Sequence, residues 1–108
     1  MTSDPGTMHV LLSVTRDVPA TRLSAYAAAW RRLRDAAAQA GVHAWHFRSA
    51  AAAEAGRFLE FLEWHSAGGD PTVAGPLRAA LAQLDAAFPG ERDVWHEVPS
   101  ESSAEGAP

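Results

Sequence analysis

The stretch Arg57-Phe58-Leu59-Glu60-Phe61-Leu62-Glu63-Trp64-His65 restricts the folds open to this chain more than any other. It reads as a strand, and neighbouring side chains on a strand point to opposite faces. One face carries Phe58, Glu60, Leu62 and Trp64; the other carries Leu59, Phe61, Glu63 and His65. Both are apolar in large part, so the sheet holding this strand needs a cover on each side.

The rest of the chain supplies one cover. Met8 to Val14 reads as a first strand, broken by Arg16-Asp17-Val18-Pro19. A helix follows from Ala20 or Thr21 to Ala40, with Leu23, Tyr26/Ala27, Trp30, Leu33 and Ala37 as its apolar stripe. Thr21 or Asp17 is placed to cap its start and Gly41 to end it. Val42 to Arg48 is a second strand, joined by an Ala-rich connection to Arg57–His65. Pro76 opens a second helix with Leu77, Ala80/Leu81, Leu84 and Phe88 on one face, and Pro89-Gly90 stops it. Asp93 to Val98 is a fourth strand. The order β-α-β-β-α-β predicts an α+β, ferredoxin-like fold with two helices on one face of a four-stranded antiparallel sheet. Residues 8–98 form the domain, 1–7 a flexible lead-in, and 99–108 a polar tail expected to be disordered.

Strand parity assigns the faces. Val10, Leu12 and Val14 are the most apolar set of the first strand and belong under the helices. Trp45/Phe47, Leu59/Phe61 and Val94/Val98 are expected to join them. The open face is then expected to carry His9, Leu11, Ser13, Ala44, His46, Arg48, Phe58, Glu60, Leu62, Trp64, Trp95 and Glu97. A slip of one residue in the third strand would exchange its two sets. An open face this apolar predicts a second copy packed against it, a homodimer enclosing a cavity.

Composition narrows the function classes. The chain has 108 residues and a net charge of -4, with no basic footprint for nucleic acid. All nine cationic side chains are Arg, and Lys, Asn, Ile and Cys are absent, a balance that suggests a bacterial source. Without Cys there is no disulfide or thiolate chemistry. No apolar run reaches the ~20 residues that span a bilayer, and no targeting segment is visible, so a cytoplasmic protein with no membrane partner is expected. The spacing His43-x-x-His46 lies on a strand, where the two side chains diverge, and no metal site is expected. There is no phosphate-binding loop and no serine-hydrolase elbow.

Gly41-Val42-His43-Ala44-Trp45 resembles a Gly-initiated second strand. Arg57 through Ser66 resembles a third strand that ends in a Glu-Trp pair followed by a small residue. Together with the spacing to the second helix, these resemble the dimeric α+β barrel superfamily, and within it the antibiotic-biosynthesis-monooxygenase-like proteins, over residues 8–98. That resemblance implies a homodimer and a small-molecule substrate. Its members include cofactor-free oxygenases of aromatic polyketides, haem-degrading enzymes, lyases and isomerases. Of its site residues, Trp64 alone carries over. The second helix lacks the His that haem-degrading members supply, and the Asn used in several cavities is missing, so no cofactor is implied.

Candidate residues follow from the expected open face. His9 and His46 can move protons near neutral pH, with Glu60 as a base or as the partner that orients a His. Trp64, Trp95, Leu62 and Phe58 would wall a pocket for a flat ligand, and Arg48 would hold a carboxylate or phenolate. The leading expectation is a cofactor-independent monooxygenase acting on an aromatic or polyketide-like molecule. A non-catalytic binding dimer, or a cyclase or isomerase using the same cavity, are the alternatives.

Overall fold

A computed structural model describes residues 8–51, 53 and 55–99. The expected lead-in at 1–7 and the tail from Ser100 onward lie outside the described residues. The elements are β1 (His9–Asp17), α1 (Leu23–Gln39), β2 (His43–Arg48), β3 (Arg57–His65), α2 (Gly75–Ala87) and β4 (Gly90–His96), with short 3-10 turns at Ala20–Arg22, Ser66–Gly68 and Pro71–Val73. All strand pairs are antiparallel, in the order β2-β3-β1-β4. The fold is the ferredoxin-like β-α-β-β-α-β arrangement, with both helices on one side of the sheet. Among the described residues, no helix is long and apolar enough to cross a membrane.

α1 buries Tyr26, Ala29, Trp30, Leu33, Ala36 and Ala37, a stripe at three- and four-residue spacing. α2 answers with Leu77, Leu81 and Leu84, and Phe88 closes the core just beyond its end. The expected caps from Thr21 or Asp17 are not made: no side chain caps the 3-10 turn or α1. The stop at Gly41 is made, with φ at 75°. The Val42 N–H bonds the Ala37 carbonyl at 2.8 Å and the Gly41 N–H that of Ala38 at 3.1 Å. These are the paired 6→1 and 5→2 bonds of a Schellman motif, which needs a left-handed residue at that point. Gly56 has a different reason to be glycine: its carbonyl accepts from Val18 N–H at 2.7 Å, and a Cβ there would sit 2.1 Å from the Val18 carbonyl oxygen.

The register corrects the face assignment. Leu12 lies opposite Leu62, Val14 opposite Glu60 and Arg16 opposite Phe58; Glu60 in turn lies opposite His46, and Leu62 opposite Ala44. Residues facing each other across a ladder share a face. Phe58, Glu60, Leu62, Trp64, Ala44, His46 and Arg48 therefore sit on the helix side with Val10, Leu12 and Val14, not on the open side as parity suggested. Trp45, Phe47, Leu59 and Phe61 take the open face instead. Apolarity could not decide between the two sets of β3. Charge partners do: β1 does not break at Arg16 but runs on to Asp17, which puts Arg16 inward, and Glu60 is its carboxylate.

β1 and β4 keep their expected parity, so His9, Leu11 and Trp95 lie on the open face. β4 starts and ends earlier than expected. Val94 points to the helix side yet is 61% exposed, and Val98, beyond the strand, is 78% exposed. Neither is part of the core, because the helices do not reach over this edge.

Candidate functional site

The inward Arg16 organises a buried polar chain. Its Nε donates to both oxygens of Glu60, at 3.0 and 2.9 Å, and its Nη1 donates to Asp85 Oδ1 at 2.9 Å and to the Phe88 carbonyl at 2.6 Å. Both Arg16 and Glu60 are fully buried as side chains. Asp85, on α2, is also held by Arg92 of β4. From the other side the Tyr26 hydroxyl donates to Glu60 Oε2 at 2.6 Å and meets His46 Nδ1 at 3.0 Å. Asp85, Arg16, Glu60, Tyr26 and His46 thus form one connected path from α2 through the core to β2.

Proton counting along this path assigns the Nδ1 proton of His46. Glu60 receives three donor contacts on two oxygens, which leaves it the role of acceptor. Burial pushes its pKa up, while Arg16 and the Tyr26 hydroxyl pull the other way. Tyr26 is held a neutral phenol: burial first, and then the Glu60 charge, raise its pKa. Its single proton goes to Glu60, so its oxygen accepts Nδ1–H from His46. That leaves Nε2 as the basic nitrogen, with no hydrogen-bond partner among the described residues. Burial, and secondarily the charge of Arg34, lower the His46 pKa and favour the neutral ring. The ring stacks on Trp30, with centroids 4.0 Å apart and planes at 12°.

His46 lines a groove of about 530 Å³ between α1 and β2. Its walls are aromatic and cationic: Tyr26, Trp30 and Phe58, with Arg31, Arg34 and Arg48. The Tyr26 and Phe58 rings lie 4.3 Å apart by centroid, and the Arg48 guanidinium lies 5.5 Å from the Phe58 ring.

The structure brings four of the expected site residues together here: His46, Arg48, Phe58 and, behind Tyr26, Glu60. Glu60 does not line the groove, so its part is to position Tyr26 and through it His46. Leu62 is fully buried core and no cavity wall. Trp64 lines a second cleft, also about 530 Å³, with Val10, Arg92, Val94 and His96. His9 and Trp95 are on the opposite side of the sheet. The Trp95 indole donates to Ser13 Oγ at 2.9 Å. His9 has both ring nitrogens engaged, Nδ1 with Glu97 at 3.0 Å and Nε2 with Glu63, and Glu97, then Glu63, raise its pKa against some desolvation. It ties β3, β1 and the segment after β4 together and is not free to take a proton from a ligand in the groove.

Sequence reasoning missed Arg16, Tyr26 and Asp85 as parts of a polar path. One signal was present: Glu60 is a carboxylate amid Phe58, Leu59, Phe61 and Leu62, and a charge buried among apolar residues requires a partner. Among the described residues, no group of three or more His, Cys, Asp or Glu is arranged to hold a metal ion. No family model, curated protein or solved structure matches the chain.

Proposed function

We propose that the groove between α1 and β2 binds a planar aromatic small molecule and that His46 Nε2 takes a proton from it, in a cofactor-independent enzyme of the monooxygenase-like kind. The observation that carries this reading is the His46 ring lining an aromatic groove, with Nδ1 tied through Tyr26 to Glu60 and no hydrogen-bond partner on Nε2 among the described residues, while burial favours its neutral form. A base that is neutral near pH 7 and held in one tautomer is suited to deprotonating a phenol or enol. The cationic rim favours the resulting anion. An electron-rich phenolate can then give an electron to O2; recombination forms a carbon–oxygen bond, and loss of water leaves a quinone. The sum is phenol plus O2 to quinone plus water, with the substrate as sole reductant.

The resemblance to the dimeric α+β barrels adds the oxygen step and the second subunit. In this reading a second copy covers the open sheet face, where Phe47 is 58% and Trp95 55% exposed beside Trp45, Leu59 and Phe61. Two such faces are self-complementary about a two-fold axis.

An oxygen electrode with 1,5-dihydroxynaphthalene tests the reaction. One O2 consumed per quinone formed is expected, and His46→Gln should lower kcat by about 10²–10⁴, the usual range for a lost general base. Turnover of an enol substrate without oxygen uptake, still sensitive to His46→Gln, would instead identify a cyclase or isomerase, which needs the same base. Turnover unchanged in His46→Gln would sink the assignment of the base.

A further inference from the structure

α1 gives the groove a polarity. Leu23, Ala27, Trp30, Arg31 and Arg34 all line it, one stripe of the helix that is apolar at its start and cationic further on. From Leu23 to Arg34 the stripe runs about 16 Å at 1.5 Å per residue. No carboxylate is among the lining residues, although the chain carries a net charge of -4. Elsewhere arginines meet acids: Arg16 holds Glu60 and Asp85, Arg92 holds Asp85, and Arg57 lies 3.8 Å from Asp17. Among the described residues, the side chains of Arg31 and Arg34 have neither an ion pair nor a hydrogen bond. A merely solvated helix face accounts for Arg32, which is not a lining residue. It does not account for the gathering of Arg31, Arg34 and Arg48 from two elements around one aromatic-walled groove.

We infer that the ligand of this groove is an aromatic carboxylate, its anionic group held by Arg31 and Arg34 and its fused rings lying along Leu23, Ala27 and Phe58, with the acidic position at His46. The assignment rests on this groove being the site proposed above. It makes Arg31 and Arg34 specificity determinants for a second charge, separate from the one that forms at the reacting atom. It also couples binding to basicity. The groups around His46 are Tyr26, Trp30 and the cation of Arg34 on α1, Phe58 and, behind Tyr26, Glu60 on β3, and Arg48 on the same face of β2. A carboxylate on Arg34 cancels part of that positive charge, so the bound ligand makes His46 a stronger base.

The test compares 6-hydroxy-2-naphthoate with its neutral isostere 6-hydroxy-2-naphthamide by isothermal calorimetry on the full chain. The acid should bind about tenfold or more tightly than the amide, the difference expected of one charge-assisted contact. Arg31→Gln/Arg34→Gln should erase that preference, weakening the acid by about tenfold more than the amide; both sites are exposed and Gln is a good helix former, so folding is retained. By NMR, the His46 titration midpoint should move up when the acid binds to the unaltered chain and should stay put in Arg34→Gln. Equal affinities for acid and amide, a preference that survives in the double variant, or no binding of either probe at millimolar concentration would each overturn the inference. The base reading fails separately. Acid preference lost in the double variant, with turnover indifferent to His46→Gln, would leave the carboxylate subsite standing and remove the proton-transfer role.

Discussion

β3 places one glutamate on each face of the sheet, and their fates differ. Glu60 is sealed between the sheet and the helices, where Arg16 and Tyr26 satisfy it. Glu63 lies on the bare side, 30% exposed, where it meets His9 and, at 3.3 Å, His43. The buried pair carries a large desolvation cost, offset by the bonds to Glu60, Asp85 and Phe88, and Arg16 Nη2 is left without an acceptor among the described residues. The exposed set is cheap, screened by water, and replaceable. Burial, not residue type, therefore decides which carboxylate on this strand is structural and connected to the groove.

Four substitutions test that contrast, in falling order of effect. Arg16→Leu strands the buried Glu60 charge and should cost about 3–5 kcal/mol, read as a lower denaturant midpoint. Arg16→Leu/Glu60→Leu should recover part of the loss, because no buried charge is stranded, although the Phe88 carbonyl loses its Arg16 donor and the Tyr26 hydroxyl its Glu60 acceptor. A double variant no better than the single would show that the pair is not an isolated unit. Tyr26→Phe comes next: Glu60 loses a donor and His46 its anchor, for about 1–3 kcal/mol. Activity should fall as well, since Nδ1–H is no longer fixed. Phe61→Arg on the bare face should change monomer stability by only about 0.5–1 kcal/mol. In sedimentation it should turn a dimer into a monomer if a second copy covers that face.

The two faces also titrate with opposite sign. His46 has its folded pKa below the ordinary 6.5, so the unfolded chain binds more protons as pH drops through that value and stability declines from there downward. His9 has its folded pKa above 6.5. Its contribution is complete below that pH and is lost as pH rises through the raised folded value. His46→Gln should remove the acid-side decline and His9→Gln the alkaline-side one. Unfolding midpoints measured from pH 5 to 8, about the range over which imidazoles titrate, check both.

Element order, the β3 limits and the Gly41 stop were legible in the sequence because each depends on local chemistry: period, turn residues and a left-handed glycine. The faces of β2 and β3 were not. Local apolarity is nearly balanced on β3, and a strand carries no internal mark of which side its helices will take. The deciding fact is a pairing between Arg16 and Glu60, far apart in sequence. It was hidden because Arg16-Asp17-Val18-Pro19 resembles a loop until β1 is seen to continue. His46, Glu60, Phe58 and Arg48 were expected on one face and do share one, but it is the helix side and not the open side. Tyr26 looked like core, which it also is. Trp64 sits in a separate cleft, so a resemblance carried by that residue does not lead to His46.

The helix stop at Gly41 has a genetic consequence. Only Val42 separates it from β2, so there is no slack in which to absorb a change of length. Loss of one codon between Gly41 and His46 would turn the strand over, sending His46 outward and bringing Trp45 or Phe47 to Tyr26. Substitutions along β2 alter the groove by degrees, whereas a three-nucleotide deletion at this junction would abolish it in one step.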